Sequence, residues 1–303
     1  MSYKFIEEKL ARGETIILDG ATSTDIQRRG APMQGDTWSA EVNLTHPDIV
    51  RAVHDDYVRV GADVIIANTF ATSVFMFNHV GRDADINKID RVAVQIALDA
   101  ARGHQVAVAG SISTMRPMQI GSDRNNLAIG WSEADARKLF SYKVKGLVDA
   151  GVDFIMMEMM RDTDYAVWAS ETAMATGLPV WIGVSAERSK DGGLQGWGRD
   201  DCKFDAICEK LAALKPQVMS VMHTSPNDTD EAIQILRKYW NGPIGTYPEC
   251  GYFKSPDWEF VDVIAPADLV AKSQDWQKLG ATIFGGCCGL GPDHILALAQ
   301  EMK

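Results

Sequence analysis

Short apolar runs rich in β-branched residues alternate eight times with amphipathic helical patterns along this chain. Each run has the length of a buried strand, and each helical pattern repeats its apolar residues every three to four positions. We predict strands at residues 15–19, 63–69, 105–111, 154–159, 179–185, 217–223, 243–247 and 282–286. We predict helices at residues 48–60, 83–102, 132–150, 163–176, 201–214, 228–240, 267–279 and 293–302. Several helices begin at a capping residue such as Ser132 or Asp228, or end before a glycine such as Gly151.

Eight strand-then-helix units indicate an α/β fold of the (β/α)8 type, a TIM barrel, as a single domain over residues 1–303. Such a barrel takes about 250 residues plus insertions. The chain has 303 residues, of which 46% are hydrophobic, so it can bury a core of that size. The alternative is a doubly wound open sheet, but that fold has a glycine-rich phosphate-binding motif after an early strand, and the sequence has none.

The charge balance argues against two classes of partner. The chain has 30 Lys and Arg against 41 Asp and Glu, a net charge of −11 at pH 7. It therefore lacks the basic surface that nucleic acid or an anionic membrane requires, and small molecules are the expected ligands. The first residues alternate in charge, unlike a signal peptide, and no run approaches the roughly 18 apolar residues of a membrane-spanning helix. We expect a cytoplasmic protein; the sequence does not indicate its oligomeric state.

Two adjacent cysteines, Cys287 and Cys288, follow the last predicted strand in the sequence Gly-Gly-Cys-Cys-Gly. Neighbouring side chains of a regular strand point to opposite faces, so both sulfurs can reach one metal ion only if the backbone turns sharply. The flanking glycines allow such a turn, and thiolates are typical ligands of Zn²⁺. The alternatives are a vicinal disulfide or two small buried residues. We favour zinc because of the Gly-Gly-Cys-Cys-Gly context at a strand end. Five cysteines, an odd number in a chain of this size, also argue against a disulfide framework.

Polar residues end several other predicted strands, and in a TIM barrel these ends share the face that carries the active site. Asp19, followed by Gly20 and Ala21, ends the first strand, and Asn68 ends the second. The carboxylate of Asp19 and the backbone N–H groups after it can hold the ammonium and carboxylate of an amino acid. Glu158 lies among methionines, where a buried carboxylate needs a cationic partner such as a substrate amino group.

These motifs resemble the zinc-dependent homocysteine S-methyltransferases, a family whose members use betaine, S-methylmethionine or methylfolate as the methyl donor. The resemblance covers nearly the whole chain. It rests on residues 18–30 (the opening Asp-Gly motif), residues 66–70 and 157–158 (the second and fourth strand ends), residues 246–251 with Trp258 (similar to Tyr-Pro-Asn-x-Gly), and residues 285–289. The last of these is the family's most specific motif.

The resemblance implies an enzyme that transfers a methyl group from an activated donor to a small thiol, with homocysteine giving methionine. It implies zinc held by three cysteines, two of them Cys287 and Cys288, with the substrate thiol as the fourth ligand. Asp19, the backbone after it and Glu158 are implied to hold the amino acid part of that thiol. A metal-bound thiol is deprotonated at neutral pH and can be positioned in line with the methyl group.

His223 stands where the family has its third cysteine, at the end of the sixth predicted strand. In one interpretation His223 is a zinc ligand, which zinc accepts readily. In another, the metal is weak or lost and the protein binds a small amino acid derivative without it or methylates a different acceptor. In a third, Cys250, at the end of the seventh strand, supplies the thiolate. We favour His223 and place Cys250 last. A neutral ligand makes the bound thiolate a poorer nucleophile, so we expect a strongly activated donor such as a sulfonium.

Two long segments follow predicted strands, residues 113–131 and 187–200, and we interpret both as partial lids over the site. The first segment can equally be a disordered surface loop. Four tryptophans lie in predicted loops or strand ends: Trp38, Trp131, Trp197 and Trp258. An aromatic face attracts a sulfonium or quaternary ammonium by ~0.5–2 kcal/mol. One of the four is therefore a candidate for donor binding, with ordinary packing as the alternative for each.

Overall fold

The computed structural model describes residues 3–33, 37–117, 119, 124–254 and 259–303. Its strands are β1 (Ile16–Ile17), β2 (Val64–Ala67), β3 (Ala107–Ser113), β4 (Phe154–Met160), β5 (Val180–Val184), β6 (Ala186–Arg188), β7 (Leu194–Gly196), β8 (Arg199–Lys203), β9 (Val218–Met222), β10 (Ile244–Tyr247), β11 (Tyr252–Lys254), β12 (Glu259–Val261) and β13 (Ala281–Phe284). Its α-helices are α1 (Tyr3–Arg12), α2 (Thr22–Arg28), α3 (Val42–Thr45), α4 (Pro47–Arg59), α5 (Val74–His79), α6 (Ile86–Ala101), α7 (Glu133–Ala150), α8 (Tyr165–Met174), α9 (Phe204–Ala212), α10 (Thr229–Arg237), α11 (Pro266–Lys278) and α12 (Pro292–Glu301).

Eight of these strands form one parallel sheet in the order β1-β13-β10-β9-β5-β4-β3-β2. A parallel bridge between Leu18 and Val64 joins the two ends of the sheet, so the strands close into a barrel. Each predicted strand corresponds to a barrel strand, and each predicted helix overlaps an observed one. The predicted TIM barrel is therefore confirmed.

Alternate residues of the barrel strands face the two sides of the wall. On β4, Phe154 and Met156 belong to the cluster inside the barrel, whereas Ile155 and Met157 pack against the surrounding helices. Helix α1 contributes to the interior cluster through Tyr3, whose hydroxyl accepts a hydrogen bond of 2.8 Å from the Trp181 indole. Side chains therefore fill the interior of the barrel. A ligand is expected to bind at the barrel end where the polar strand termini lie.

The segment between β5 and α9 differs most from the sequence prediction. Helix α9 was predicted to begin at residue 201, but β8 occupies 199–203 and the helix begins at Phe204. Strands β6, β7 and β8 form a three-stranded antiparallel sheet, so the predicted lid at 187–200 is an ordered sheet extension. Asp228 was a predicted helix cap, but its side chain makes no cap bond and pairs with Arg188 on β6. The predicted cap at Ser132 is confirmed.

A buried ion pair fixes the loop that follows β2. The ammonium of Lys143, on α7, lies 2.9 Å from a carboxylate oxygen of Asp90, on α6, and both side chains are inaccessible to solvent. The same ammonium donates a hydrogen bond of 2.8 Å to the carbonyl of Thr69. This pair was not predicted, and it holds the backbone next to Asn68 in place. None of the helices in the described ranges has both the length and the apolar character that crossing a membrane requires.

Candidate metal and substrate site

A cleft of about 1050 Å³, including its open mouth, lies at the carboxyl ends of the barrel strands. Its lining includes every site residue predicted from the sequence except Cys250, namely Asp19, Gly20, Ala21, Asn68, Glu158, His223, Cys287 and Cys288. The ends of five barrel strands therefore bring together residues that are far apart in the sequence.

His223, Cys287 and Cys288 form a group in which each residue offers one ligand atom and all three atoms lie within 4.8 Å of one another. The Cys287 sulfur is 3.5 Å from His223 Nδ1 and 4.0 Å from the Cys288 sulfur. With Zn–S of about 2.3 Å and Zn–N of about 2.05 Å, a tetrahedral zinc ion sets these separations at about 3.6 and 3.8 Å. The three donors fit zinc, and both cysteines are free thiols rather than a disulfide.

The turn that aims both sulfurs inward depends on a close backbone approach. Gly289 has φ +85°, and a Cβ atom there would lie 2.2 Å from the carbonyl oxygen of Cys250. The amide of Cys287 donates a hydrogen bond of 2.8 Å to the carbonyl of Pro248, which ties the turn to the end of β10. A side chain at position 289 would force these segments apart, so glycine is required there.

The His223 ring is held from the side opposite the sulfurs. Its Nε2 atom lies 3.1 Å from one carboxylate oxygen of Glu249, whose other oxygen accepts a hydrogen bond of 3.3 Å from the indole of Trp197. The rings of His223 and Trp197 meet edge to face at 4.9 Å. A carboxylate at Nε2 favours the tautomer with hydrogen on Nε2, which leaves the lone pair of Nδ1 directed at the sulfurs.

Charges within this group stabilise one another in the metal-free protein. Burial lowers the pKa of His223, but Glu249 and Cys288 outweigh it and raise the pKa to about 9. The hydrogen bond from Cys287, with the His223 imidazolium, outweighs burial and lowers the pKa of Cys288 to about 5. The hydrogen bond to Cys288, together with burial, raises the pKa of Cys287. A divalent cation would replace the protons on His223 and Cys287.

Cys250 lies outside this group. Its sulfur accepts a hydrogen bond of 3.3 Å from the amide of Ile264 and packs in the cluster between the barrel wall and the helices. Its own amide donates to the carbonyl of Cys288 at 3.0 Å. The geometry therefore favours His223 over Cys250 as the third ligand.

Two buried carboxylates, Asp19 and Glu158, line the same cleft. Asp19 accepts a hydrogen bond of 2.7 Å from the amide of Ile66, and Glu158 accepts one of 2.5 Å from the hydroxyl of Ser111. Burial, reinforced by the neighbouring Glu158, raises the pKa of Asp19 well above its usual range. Burial also raises the pKa of Glu158 to about 7. A cation that binds between them would stabilise their ionised forms.

Glu158 reaches the cleft because β4 is irregular at its end. The pairing of β4 with β5 shifts register between Met157 and Met160, and Met159 adopts φ +54°. His223, at the end of β9, also has a left-handed backbone, with φ +44°. Such conformations cost on the order of 1 kcal/mol for non-glycine residues and cluster at functional sites.

The backbone after Asp19 is only partly available to a ligand. The amide of Ala21 donates a hydrogen bond of 2.9 Å to the carbonyl of Leu290, so it is already used. The next residues, Thr22 and Ser23, begin α2 and line the cleft, and first-turn amides have no acceptor within their helix. Gly20 is needed for packing, since a Cβ atom there would lie 2.4 Å from the Leu290 carbonyl.

The side chain of Asn68 is hydrogen-bonded to neighbouring protein groups. Its side-chain amide donates hydrogen bonds of 3.1 Å to the carbonyl of Ser39 and to the side-chain oxygen of Asn43. Its own side-chain oxygen accepts from the Ser39 hydroxyl at 3.3 Å. The side chain therefore stabilises the segment beside the cleft, and its contact with a substrate stays a prediction.

The four tryptophans have different environments. Trp38 and Trp197 line the cleft. Trp131 stacks on Phe75 with ring centroids 4.4 Å apart, which is ordinary packing. Trp258 lies outside the described residues.

Arg161 also lines the cleft and was not singled out from the sequence, whereas Tyr247 and Glu249 were noted only as part of the segment 246–251. The hydroxyl of Tyr247 is buried without a hydrogen-bond partner among the described residues. A signal for Glu249 was present, because it occupies the position of asparagine in the Tyr-Pro-Asn-x-Gly segment. The chain departs from the family motif there and at His223, and the two departures are in contact.

Comparison with known proteins identifies the family. Residues 16–302 match the family model for homocysteine S-methyltransferase. Betaine–homocysteine S-methyltransferase 1 of Mus musculus is 26% identical over 321 residues, covering 99% of this chain and 75% of that protein. Homocysteine S-methyltransferase 2 of Zea mays is 26% identical over 317 residues, covering 97% and 91%. The metallated form of the homocysteine methyltransferase MmuM from Escherichia coli shares the fold, with a TM-score of 0.78, 23% identity and 99% of both chains covered. The chain therefore belongs to the homocysteine S-methyltransferase family, as its motifs predicted.

Proposed function

We propose that this protein transfers a methyl group from an activated donor to the thiol of homocysteine, giving methionine. The observation that carries the proposal is the convergence of His223, Cys287 and Cys288 in a cleft that also holds two buried carboxylates. Family membership supports the same chemistry. In the reaction, a sulfur lone pair of the acceptor forms the new S–CH₃ bond, and the bond between the methyl group and the donor breaks with its electron pair left on the donor.

His223, Cys287 and Cys288 would hold zinc through Nδ1 and two sulfurs, which leaves one position of a tetrahedron for the acceptor. When bound, zinc lowers the pKa of a coordinated thiol so that it is deprotonated at neutral pH. Glu249 keeps the His223 ring in place through Nε2 and supplies negative charge behind a neutral ligand.

Asp19 and Glu158 bind the ammonium of the acceptor. Both carboxylates are buried with raised pKa values, so a cation between them offsets the cost of their ionisation. The amides that begin α2, at Thr22 and Ser23, lie beside Asp19 and are available to the acceptor carboxylate. These contacts fix the acceptor, so that its sulfur meets the methyl group in one orientation and the reaction becomes effectively unimolecular.

The sheet of β6, β7 and β8 limits water access to the cleft. Trp197 follows β7, is 7% exposed, and lines the cleft next to His223. A site with little water strengthens the electrostatic contacts to both substrates and keeps the activated donor from other nucleophiles.

The zinc content and methyl transfer of the purified protein test this proposal together. We expect one zinc per chain and formation of methionine from homocysteine with at least one sulfonium or quaternary ammonium donor. Cys287→Ser should lose both zinc and transfer. Cys202→Ser, which changes a free thiol on β8, is the matched control and should lose neither.

Two results would contradict the proposal. One is methyl transfer by wild-type protein that contains no metal. The other is a protein that binds small amino acid derivatives but transfers no methyl group, which would identify a repurposed, zinc-free member of the family.

A further inference from the structure

Ser111, on β3, holds one oxygen of the Glu158 carboxylate. Ser111 pairs with Met156 on β4, and Glu158, two residues further along that strand, lies on the same side of the sheet. The completely buried hydroxyl of Ser111 donates a hydrogen bond of 2.5 Å to Glu158 Oε2. In the described part of the chain no hydrogen bond is made to the other oxygen, Oε1, although Glu158 lines the cleft. The protein therefore fixes one carboxylate oxygen and leaves the other for a ligand.

The Thr69 hydroxyl fixes the backbone of Ser111. Strand β2 ends at Ala67, so its backbone pairing with β3 stops at Gly110, one residue before Ser111. The Thr69 hydroxyl accepts a hydrogen bond of 2.9 Å from the Ser111 amide and donates one of 2.9 Å to the Ser111 carbonyl. This side chain thus replaces the strand at that point, and the position of Ser111 depends on that of Thr69.

The ion pair of Lys143 and Asp90 fixes Thr69 in turn. The Thr69 carbonyl accepts a hydrogen bond of 2.8 Å from the Lys143 ammonium, whose charge Asp90 balances at 2.9 Å. The Thr72 hydroxyl accepts a hydrogen bond of 2.5 Å from the same ammonium and donates one of 2.7 Å to the Thr69 carbonyl. All of these residues are at most 1% exposed. A buried run of hydrogen bonds therefore leads from helices α6 and α7 to the Glu158 carboxylate.

This run of hydrogen bonds acts on the cleft from behind. Neither Thr69 nor Ser111 is among the described residues that line the cleft, so a ligand there meets only Glu158. A hydroxyl that donates to one carboxylate oxygen stabilises the ionised form and restricts rotation of the group. Burial raises the pKa of Glu158, and the hydrogen bond from Ser111 opposes that rise. Without the hydroxyl, the carboxylate would rotate more freely and would be protonated more often.

We propose that Ser111 and Thr69 are positioning residues for the ammonium of the acceptor and that they act through Glu158. The Lys143–Asp90 pair anchors both residues from the helices outside the barrel wall. This inference rests on the proposed function, in which Glu158 binds that ammonium. Loss of either hydroxyl should weaken recognition of the ammonium and leave recognition of the thiol and the carboxylate of the acceptor intact.

The experiment measures equilibrium binding to the zinc-loaded protein by calorimetry with two thiols: homocysteine, and 4-mercaptobutanoate, which is homocysteine without its amino group. The readout is the ratio of the two affinities, because a general distortion of the site lowers both affinities and leaves their ratio unchanged. Ser111→Ala and Thr69→Val each remove one hydroxyl, whereas Ser111→Thr keeps it. Ser170→Ala, which removes a completely buried serine hydroxyl from α8, is the matched control.

We expect wild-type protein to favour homocysteine, and Ser111→Ala to reduce this preference by about 10- to 100-fold, the range for one hydrogen bond to a charged group. Thr69→Val should reduce it less, because Ser111 keeps its hydroxyl. Ser111→Thr should keep more of the preference than Ser111→Ala, and Ser170→Ala should keep all of it. An unchanged preference in Ser111→Ala, an equal loss in Ser170→Ala, or no rescue in Ser111→Thr would overturn the positioning role.

Thermal unfolding shows whether each variant folds, and if Ser111→Ala does not, the preference of Thr69→Val decides. Wild-type protein that does not favour homocysteine over 4-mercaptobutanoate would contradict the binding of the ammonium by Glu158, and this inference with it. Wild-type protein that favours homocysteine and transfers the methyl group, alongside variants that keep the full preference, would overturn the positioning role alone and leave the proposed function standing.

Discussion

Replacing Glu249 by glutamine tests how this chain holds a metal with a histidine in place of the family's third cysteine. In the structure the two carboxylate oxygens of Glu249 face two donors, His223 Nε2 at 3.1 Å and Trp197 Nε1 at 3.3 Å. A glutamine has the same shape but only one acceptor oxygen. If that oxygen keeps the hydrogen bond from Trp197, the NH₂ group of the glutamine faces His223 Nε2. The imidazole must then carry its proton on Nδ1, the atom that faces the sulfurs. If the oxygen instead accepts the hydrogen bond from His223, the hydrogen bond from Trp197 is lost.

Either outcome weakens the site. Partners that orient a histidine ligand are typically worth 10- to 100-fold in metal affinity, so we expect Glu249→Gln to raise the zinc dissociation constant by about that factor. This range equals about 1.4 to 2.8 kcal/mol at 25 °C. The assay is a titration of the metal-free protein with zinc against a chromophoric chelator. Cobalt(II) absorption provides a second readout, because its thiolate bands report whether Cys287 and Cys288 still bind.

The matched control is Glu231→Gln, which removes a carboxylate from α10 that pairs with Arg188 at the surface. We expect this control to bind zinc as the wild type does. Wild-type zinc affinity in Glu249→Gln, alongside a large loss in His223→Ala, would refute the role of Glu249 while leaving His223 as a ligand.

Three further predictions follow from particular residues. Combining His223→Cys with Glu249→Asn restores the residue types of the family motif, so zinc should be retained and the ratio of kcat/KM for methylfolate to that for a sulfonium donor should rise; an unchanged or lower ratio would count against the charge argument. Burial raises the pKa of Glu158 to about 7, and ammonium binding needs this carboxylate ionised. Affinity for homocysteine should therefore fall as the pH drops below about 7, and calorimetry of Glu158→Gln should show a shallower fall, with the part due to Asp19 and to the acceptor thiol remaining. Lys143→Met leaves a buried carboxylate unpaired and should reduce the free energy of unfolding by about 3–5 kcal/mol in urea titrations, whereas Lys145→Met, on the exposed face of the same helix, should leave it nearly unchanged.

The barrel could be predicted from the sequence because its signal is local and repeated. Each strand is a short apolar run and each helix an amphipathic one, and eight repeats outweigh errors at individual boundaries. The exception at 199–203 also has a local cause. Strand β8 pairs with β7, and this pairing overrides the helical pattern that the sequence shows from residue 201.

The site could be predicted only at positions where the residue type itself indicates a particular chemistry. Cys287, Cys288 and His223 follow strands, and their side chains are typical zinc ligands. Glu249 is a common residue type whose importance arises from what it contacts, and sequence spacing contains no information on those contacts. In this chain a histidine and a carboxylate in contact occupy the two positions at which the family motifs have cysteine and asparagine.

Zinc K-edge X-ray absorption of the zinc-loaded protein tests the central claim most directly, since it counts sulfur and nitrogen neighbours at the metal. The account predicts two sulfurs at about 2.3 Å and one histidine nitrogen at about 2.05 Å from the protein, with a third sulfur appearing when homocysteine is added. A spectrum without the histidine nitrogen, or one in which homocysteine adds no sulfur, would contradict it.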